Sequence, residues 1–178
     1  MNSRQSRNAT VKEIAIFGML GALMYASKVI MELIPNVHLI GTFIVAITVI
    51  YRKKALYPIY IFVFLTGLLN GFGTWWIPYL YIWTILWGVT MLLPKNMSRK
   101  KAVIVYCTVC SLHGFLYGIL YSPVQALMYN LNFEGTIAWI VAGLPYDAIH
   151  GVGNLLCGTL IVPLAELLSI AEKTVKKT

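Results

Sequence analysis

Six apolar stretches divide the chain, separated by short polar breaks marked with proline and glycine. The first runs from about Val11 to Ile34 and stops at Pro35. The second, from about His38 to Tyr51, is short for a full crossing and fits a tilted or partly interfacial helix. The third covers about Ala55 to Phe72 and ends in the pair Gly71 and Gly73; the fourth, about Trp75 to Leu93, stops at Pro94. A fifth begins near Ala102 and reaches about Tyr121, where Pro123 should kink or end it. The sixth extends from about Asp147 to Ala171. Between the last two, Ser122 to Tyr146 holds Gln125, Asn130, Asn132, Glu134, Gly135, Gly143 and Pro145, which predicts an outer loop or a broken helix. Hydrocarbon offers the backbone no partners, so every span should be helical. No internal repeat or low-complexity tract is visible.

Charge orients these stretches. Of the 14 Lys and Arg residues, 13 fall into four clusters that occupy every second gap. Arg4, Arg7 and Lys12 come first, then Arg52, Lys53 and Lys54, then Lys95, Arg99, Lys100 and Lys101, and finally Lys173, Lys176 and Lys177. Lys and Arg beside a span resist translocation and stay in the cytoplasm. The expected fold is an all-α integral membrane protein with six transmembrane helices and both termini cytoplasmic, in a bacterial plasma membrane.

Composition agrees: 59% of residues are hydrophobic, 11% are charged and the mean hydropathy is +0.76. Soluble domains run at about 45–50% apolar and about 25% charged. The net charge of +8 flanks spans instead of covering one face, which points to anionic lipid headgroups and not to nucleic acid. Six spans at about 20 residues each use most of the 178 residues, so residues 1–178 form a single domain. The start, MNSRQSRNATVKE, leads into an apolar run past signal-peptide length, so a retained first span is expected. Cys107, Cys110 and Cys157 lie inside apolar segments, and the C-x-x-C has no second pair or nearby His at metal spacing, so buried thiols are expected and no metal site.

Chemistry concentrates toward the outer ends. Trp75, Trp76, Tyr79, Tyr81, Trp83 and Trp87 fall within thirteen residues. An interfacial belt accounts for Trp75, Trp76 and Tyr79, whereas Trp83 and Trp87 are either core or the wall of an apolar pocket. Lys28 and Glu32 stand four apart on the first span and can pair. His113, Tyr117, Tyr121 and Gln125 repeat every four residues, and Asp147, His150 and Asn154 share another helical face. Asn70 ends the third span, while Asn36 and His38 follow Pro35. Each alone reads most simply as a satisfied interhelical hydrogen bond; together they predict an outward cavity. On the first span Gly18, Ala22 and Ala26 form a stripe that allows close approach of a helix, from this polypeptide or another.

Several chemistries find no footing. There is no phosphate-binding glycine loop with Lys, no H-E-x-x-H and no G-x-S-x-G. An enzyme is not expected, no catalytic residue is assigned and no cofactor is implied. An intramembrane enzyme using Asp147 and His150 is a poor fit without a nucleophile, and a self-sufficient secondary carrier for a small nutrient would need an inverted repeat and coupling carboxylates.

Six spans with inside termini, small residues at Gly18, Ala22 and Ala26, and the segments 35–41, 79–96 and 143–154 resemble the substrate-binding S component of energy-coupling factor (ECF) transporters. Gly18 and Ala22 stand where that family carries its A-x-x-x-A signature, with Gly replacing the first Ala. The resemblance implies capture of a vitamin from outside and docking on a transmembrane coupling subunit driven by two cytoplasmic ATPases. Gly18, Ala22 and Ala26 would be the docking surface. The spans carry no Arg, which argues against an essentially anionic ligand. Cobalamin or a corrinoid leads, with His38, His113 or His150 as conceivable cobalt contacts; pyridoxine-, riboflavin- and pyrimidine-like compounds stay open.

Overall fold

The computed structural model describes the backbone of residues 2–177 and the side chains of residues 11–174; Arg4, Arg7, Lys176 and Lys177 of the basic clusters lie outside the latter. The chain is all-helical, with no strand among the described residues. In order it forms α1 (Asn2–Met31), α2 (Ile40–Tyr51), α3 (Leu56–Asn70), α4 (Tyr79–Leu92), α5 (Arg99–Phe115), α6 (Tyr117–Met128), α7 (Phe133–Gly158) and α8 (Ile161–Lys177). Short 3-10 turns at Arg52–Ala55 and Thr74–Trp76 precede α3 and α4.

The core forms around α2. Its residues Ile40 to Thr48 are all buried, which a helix that is apolar on every side requires. Trp83, Phe62, Met24, Ile59, Ile82 and Leu86 close around it with at most 1% exposure. Three buried threonines, Thr48, Thr66 and Thr90, each return their hydroxyl to the carbonyl four residues earlier, whereas the Thr42 hydroxyl and the Trp83 indole nitrogen are buried there without a partner. Outward faces are the reverse of a soluble protein: Met19, Leu23, Ile30, Phe64, Val141, Leu156 and Leu167 are all more than half exposed. Such a surface suits hydrocarbon as its solvent.

Two described segments, Val11–Met31 and Arg99–Met128, are long and apolar enough to cross a membrane. α7 and α8 add a third if the pair, bent by 50°, counts as one span. By contrast α2, α3 and α4 have 12, 15 and 14 residues, or about 18–22 Å at 1.5 Å per residue, short of a ~30 Å hydrocarbon layer.

Several expected boundaries shift. α1 ends at Met31, and residues 32–39 form turns instead of continuing to Ile34. Of the outer loop or broken helix expected from Ser122 to Tyr146, the structure forms the broken helix, interrupted by a turn at 129–132, where Asn130 takes a left-handed φ of 51°. The Asn132 side chain caps α7 by accepting from the Gly135 amide at 2.8 Å. Pro123 sits inside α6 without ending it. Proline cannot bond the carbonyl of Ile119, and the neighbouring Ser122 hydroxyl donates to that carbonyl at 2.9 Å instead. The interruption falls earlier, at Leu116 between α5 and α6.

Glycines allow the closest helix contacts. A side chain at Gly114 would meet the backbone of Gly151 at 2.9 Å, which locks α5 against α7. Gly21 does the same for α1 and α3: its missing Cβ would lie 2.5 Å from Ile61.

Candidate functional site

Apart from Lys28, the described basic residues gather at one end of the bundle. Lys54 pairs with Glu13 at 2.8 Å, Arg99 with Glu166 at 3.3 Å, and Arg52 donates to the Met91 carbonyl at 2.7 Å. At the opposite end, where α1, α3 and α5 finish and α2 and α4 begin, lies a cavity of about 360 Å³.

Its lining comes from four places in sequence. Lys28 and Met31 end α1, and Glu32, Ile34, Pro35, Asn36, Val37 and His38 follow in the connecting turns. Trp75 and Tyr79 approach from the start of α4, Tyr117 and Tyr121 from α6, and His150 from α7. Asn36 adopts φ 58°, a left-handed turn that Asn tolerates better than most residues, and this reverses the chain after Pro35.

Rings build the wall. Trp75 meets Tyr79 edge-on at 5.7 Å, Tyr117 and Tyr121 lie 5.8 Å apart, and Trp139 stacks on Tyr121 at 6.1 Å. The Tyr121 hydroxyl donates to the Trp75 carbonyl at 2.6 Å, tying α6 to the turn before α4. Imidazoles form the deep side: His38 and His150 have centroids 4.7 Å apart, and Tyr117 packs on His150 at 4.8 Å. Nδ1 of His38 and Nε2 of His150 are buried without a hydrogen-bond partner. A charged pair sits with them, Lys28 to Glu32 at 2.6 Å, with Lys28 the more buried of the two. Flat rings, two available imidazole nitrogens and one ion pair can hold a small aromatic ligand with polar edges. Among the described residues, no group of three or more His, Cys, Asp or Glu side chains is placed to hold a metal ion.

Known protein families, curated proteins and solved structures provide no match to this chain.

Nine of the sixteen residues expected at a ligand site line the cavity: Lys28, Glu32, Asn36, His38, Trp75, Tyr79, Tyr117, Tyr121 and His150. The other seven stand elsewhere. Trp83 lies directly behind the wall, 1% exposed and packed on His38, Tyr79, His113 and Tyr117. His113 turns inward to the Ile82 carbonyl at 3.2 Å. Asn154 donates to the Cys110 carbonyl at 3.1 Å, and Asn70 accepts from the Tyr25 hydroxyl at 3.1 Å. Trp76 donates to the Val63 carbonyl at 2.8 Å. Asp147 accepts from the Gly118 amide, at the start of α6. Gln125 lies one turn beyond Tyr121, off the lining.

Met31, Ile34, Pro35 and Val37 line the cavity although the sequence reading passed over them. The signal available was Pro35 next to Asn36, a turn signature directly between two polar candidates.

The small stripe of α1 is open. Gly18 has nothing within 4 Å of where a Cβ would stand, and Ala22 and Ala26 are exposed. Packing within the chain uses Gly21 instead.

Proposed function

We propose that this protein is the membrane-embedded substrate-binding subunit of an ECF-type importer, crossing a bacterial plasma membrane six times with both termini cytoplasmic. It takes its ligand from outside, has no catalytic role and relies on a coupling subunit and two ATPases for energy. The observation that carries this reading is the ring-walled cavity at the end remote from the basic clusters. The positive-inside rule turns that end outward. The open stripe of Gly18, Ala22 and Ala26 adds support, because a smooth flank left unused by the chain's own helices suits another helix. Six crossings would pair α5 with α6 and α7 with α8, with α2, α3 and α4 short enough to require local thinning or flanking turns.

The volume narrows the ligand. About 360 Å³ is near the lower end of the ~300–1,000 Å³ range of small-molecule sites. It favours a one- or two-ring heteroaromatic compound, such as a pyridoxine- or pyrimidine-like vitamin. A corrinoid, with its macrocycle and amide arms, is too large, so the volume weighs against cobalamin.

Mass spectrometry of small molecules retained by the purified protein tests the ligand. A heteroaromatic compound is expected. Vesicles test the transport role: uptake should require the coupling subunit and ATPases, and accumulation against a gradient by this chain alone would overturn the proposal.

A further inference from the structure

A second cavity, of about 210 Å³, lies at the basic end between α2, α4 and α5. Val49, Thr90, Leu93, Pro94 and Tyr106 form its walls, and its charged side chains are Arg52 and Lys95. No carboxylate lines it among the described residues. Two cations facing one small recess without a counter-charge repel each other and favour an anion between them.

Arg52 is held in place from every side. Its backbone adopts φ 53°, an uncommon state for a side-chain-bearing residue. The Arg52 amide donates to Thr48, its carbonyl accepts from the Trp87 indole at 3.0 Å, and its guanidinium donates to Met91 at 2.7 Å. That last bond uses one guanidinium nitrogen and leaves other donors of the fork available. A strained backbone state fixed by three bonds is an expensive way to hold a residue whose only task is orientation.

We propose that this recess binds the phosphate of an anionic phospholipid headgroup, with Arg52 and Lys95 as its cationic contacts. Basic pockets between membrane helices are suited to such headgroups, and the apolar flank Val49, Leu93 and Pro94 lets the acyl chains leave along the bundle. At about 30 Å³ per water-sized unit, about 210 Å³ holds about seven such units, room for a phosphate group but no larger polar assembly.

Calorimetric titration of the delipidated chain in neutral detergent tests the site, using short-chain phosphatidylglycerol, short-chain phosphatidylcholine and inorganic phosphate as probes. Phosphatidylglycerol is expected to bind once per chain and phosphatidylcholine not at all. Lys95→Gln should weaken phosphatidylglycerol tenfold or more, and Lys101→Gln, which removes an exposed charge outside the recess, less than twofold. Lys95→Gln is the primary variant because Arg52 also supports the end of α4. Inorganic phosphate binding as tightly as the lipid keeps the phosphate site and assigns its source to the free anion. Equal binding of both lipids, or equal weakening by the two variants, overturns the proposal.

Discussion

Both carboxylate oxygens of Asp147 accept from one backbone amide, that of Gly118, at 3.0 Å each. The first amides of a helix have no partner within it, and here α7 supplies one to α6 across the bundle. The negative charge also stands at the positive end of α6, where it is most favourable. Asp147→Ala should therefore lower stability by ~1–3 kcal/mol, the cost of orphaning a buried donor. Asp147→Asn should cost less, because the amide oxygen still accepts. Gly118→Ala should resemble Asp147→Ala, since a methyl group there would run into the carboxylate. Thermal unfolding in detergent measures all three.

Substitution of the two imidazoles should separate binding from folding. His150→Phe and His38→Phe each remove an unpartnered ring nitrogen from the cavity while keeping a flat ring in place, so ligand retention should fall at least tenfold with little change in melting temperature. Trp83→Ala should do the opposite. Emptying a buried indole site costs ~3–5 kcal/mol, and Trp83 is not part of the lining. Retained-ligand mass spectrometry and thermal unfolding, run side by side, decide this.

Two glycines three residues apart on α1 should behave differently. Gly21→Leu forces a side chain into Ile61 and the Pro58 carbonyl, and overpacking of that kind costs ~1–3 kcal/mol. Gly18→Leu meets open space and should leave both stability and ligand binding unchanged. If the stripe docks a coupling helix, Gly18→Leu and Ala22→Leu should still abolish uptake in vesicles carrying the whole transporter. Loss of ligand binding in the purified Gly18→Leu protein would count against a docking role.

The pair Ser122 and Pro123 offers a rescue experiment. Ser122→Ala should destabilise by about 1 kcal/mol because the Ile119 carbonyl loses its donor. Adding Pro123→Ala restores a backbone amide at the right position, so the double variant should regain most of that loss. A double-mutant cycle in thermal unfolding provides the measurement.

That the described basic clusters share one end of the bundle was legible in the sequence, because their spacing along the chain and not tertiary contacts decides it. The outcome is visible in Lys54 with Glu13 and Arg99 with Glu166 at a common end. The polar stripe on the fifth stretch was legible only in part. A four-residue repeat places His113, Tyr117, Tyr121 and Gln125 along one face, but a shared face does not decide which of them reach the cavity: His113 turns to the Ile82 carbonyl and Gln125 lies one turn beyond the lining. Asn70, Trp76 and Asn154 show the other limit. Each finds a partner on a distant helix, and no local pattern announces which polar groups the fold will satisfy internally. The broken helix after Tyr121 was one of the two readings, but the place of its break was hidden: Pro123 reads as a breaker until Ser122 supplies the missing donor.

One rod, α1, carries both the bare flank at Gly18 and the cavity residue Lys28, about 15 Å apart at 1.5 Å per residue. Anything that grips the flank therefore grips the rod that carries one wall of the cavity. A tug of a few ångströms along the helix would shift Lys28 by the same amount, with no relay through other side chains.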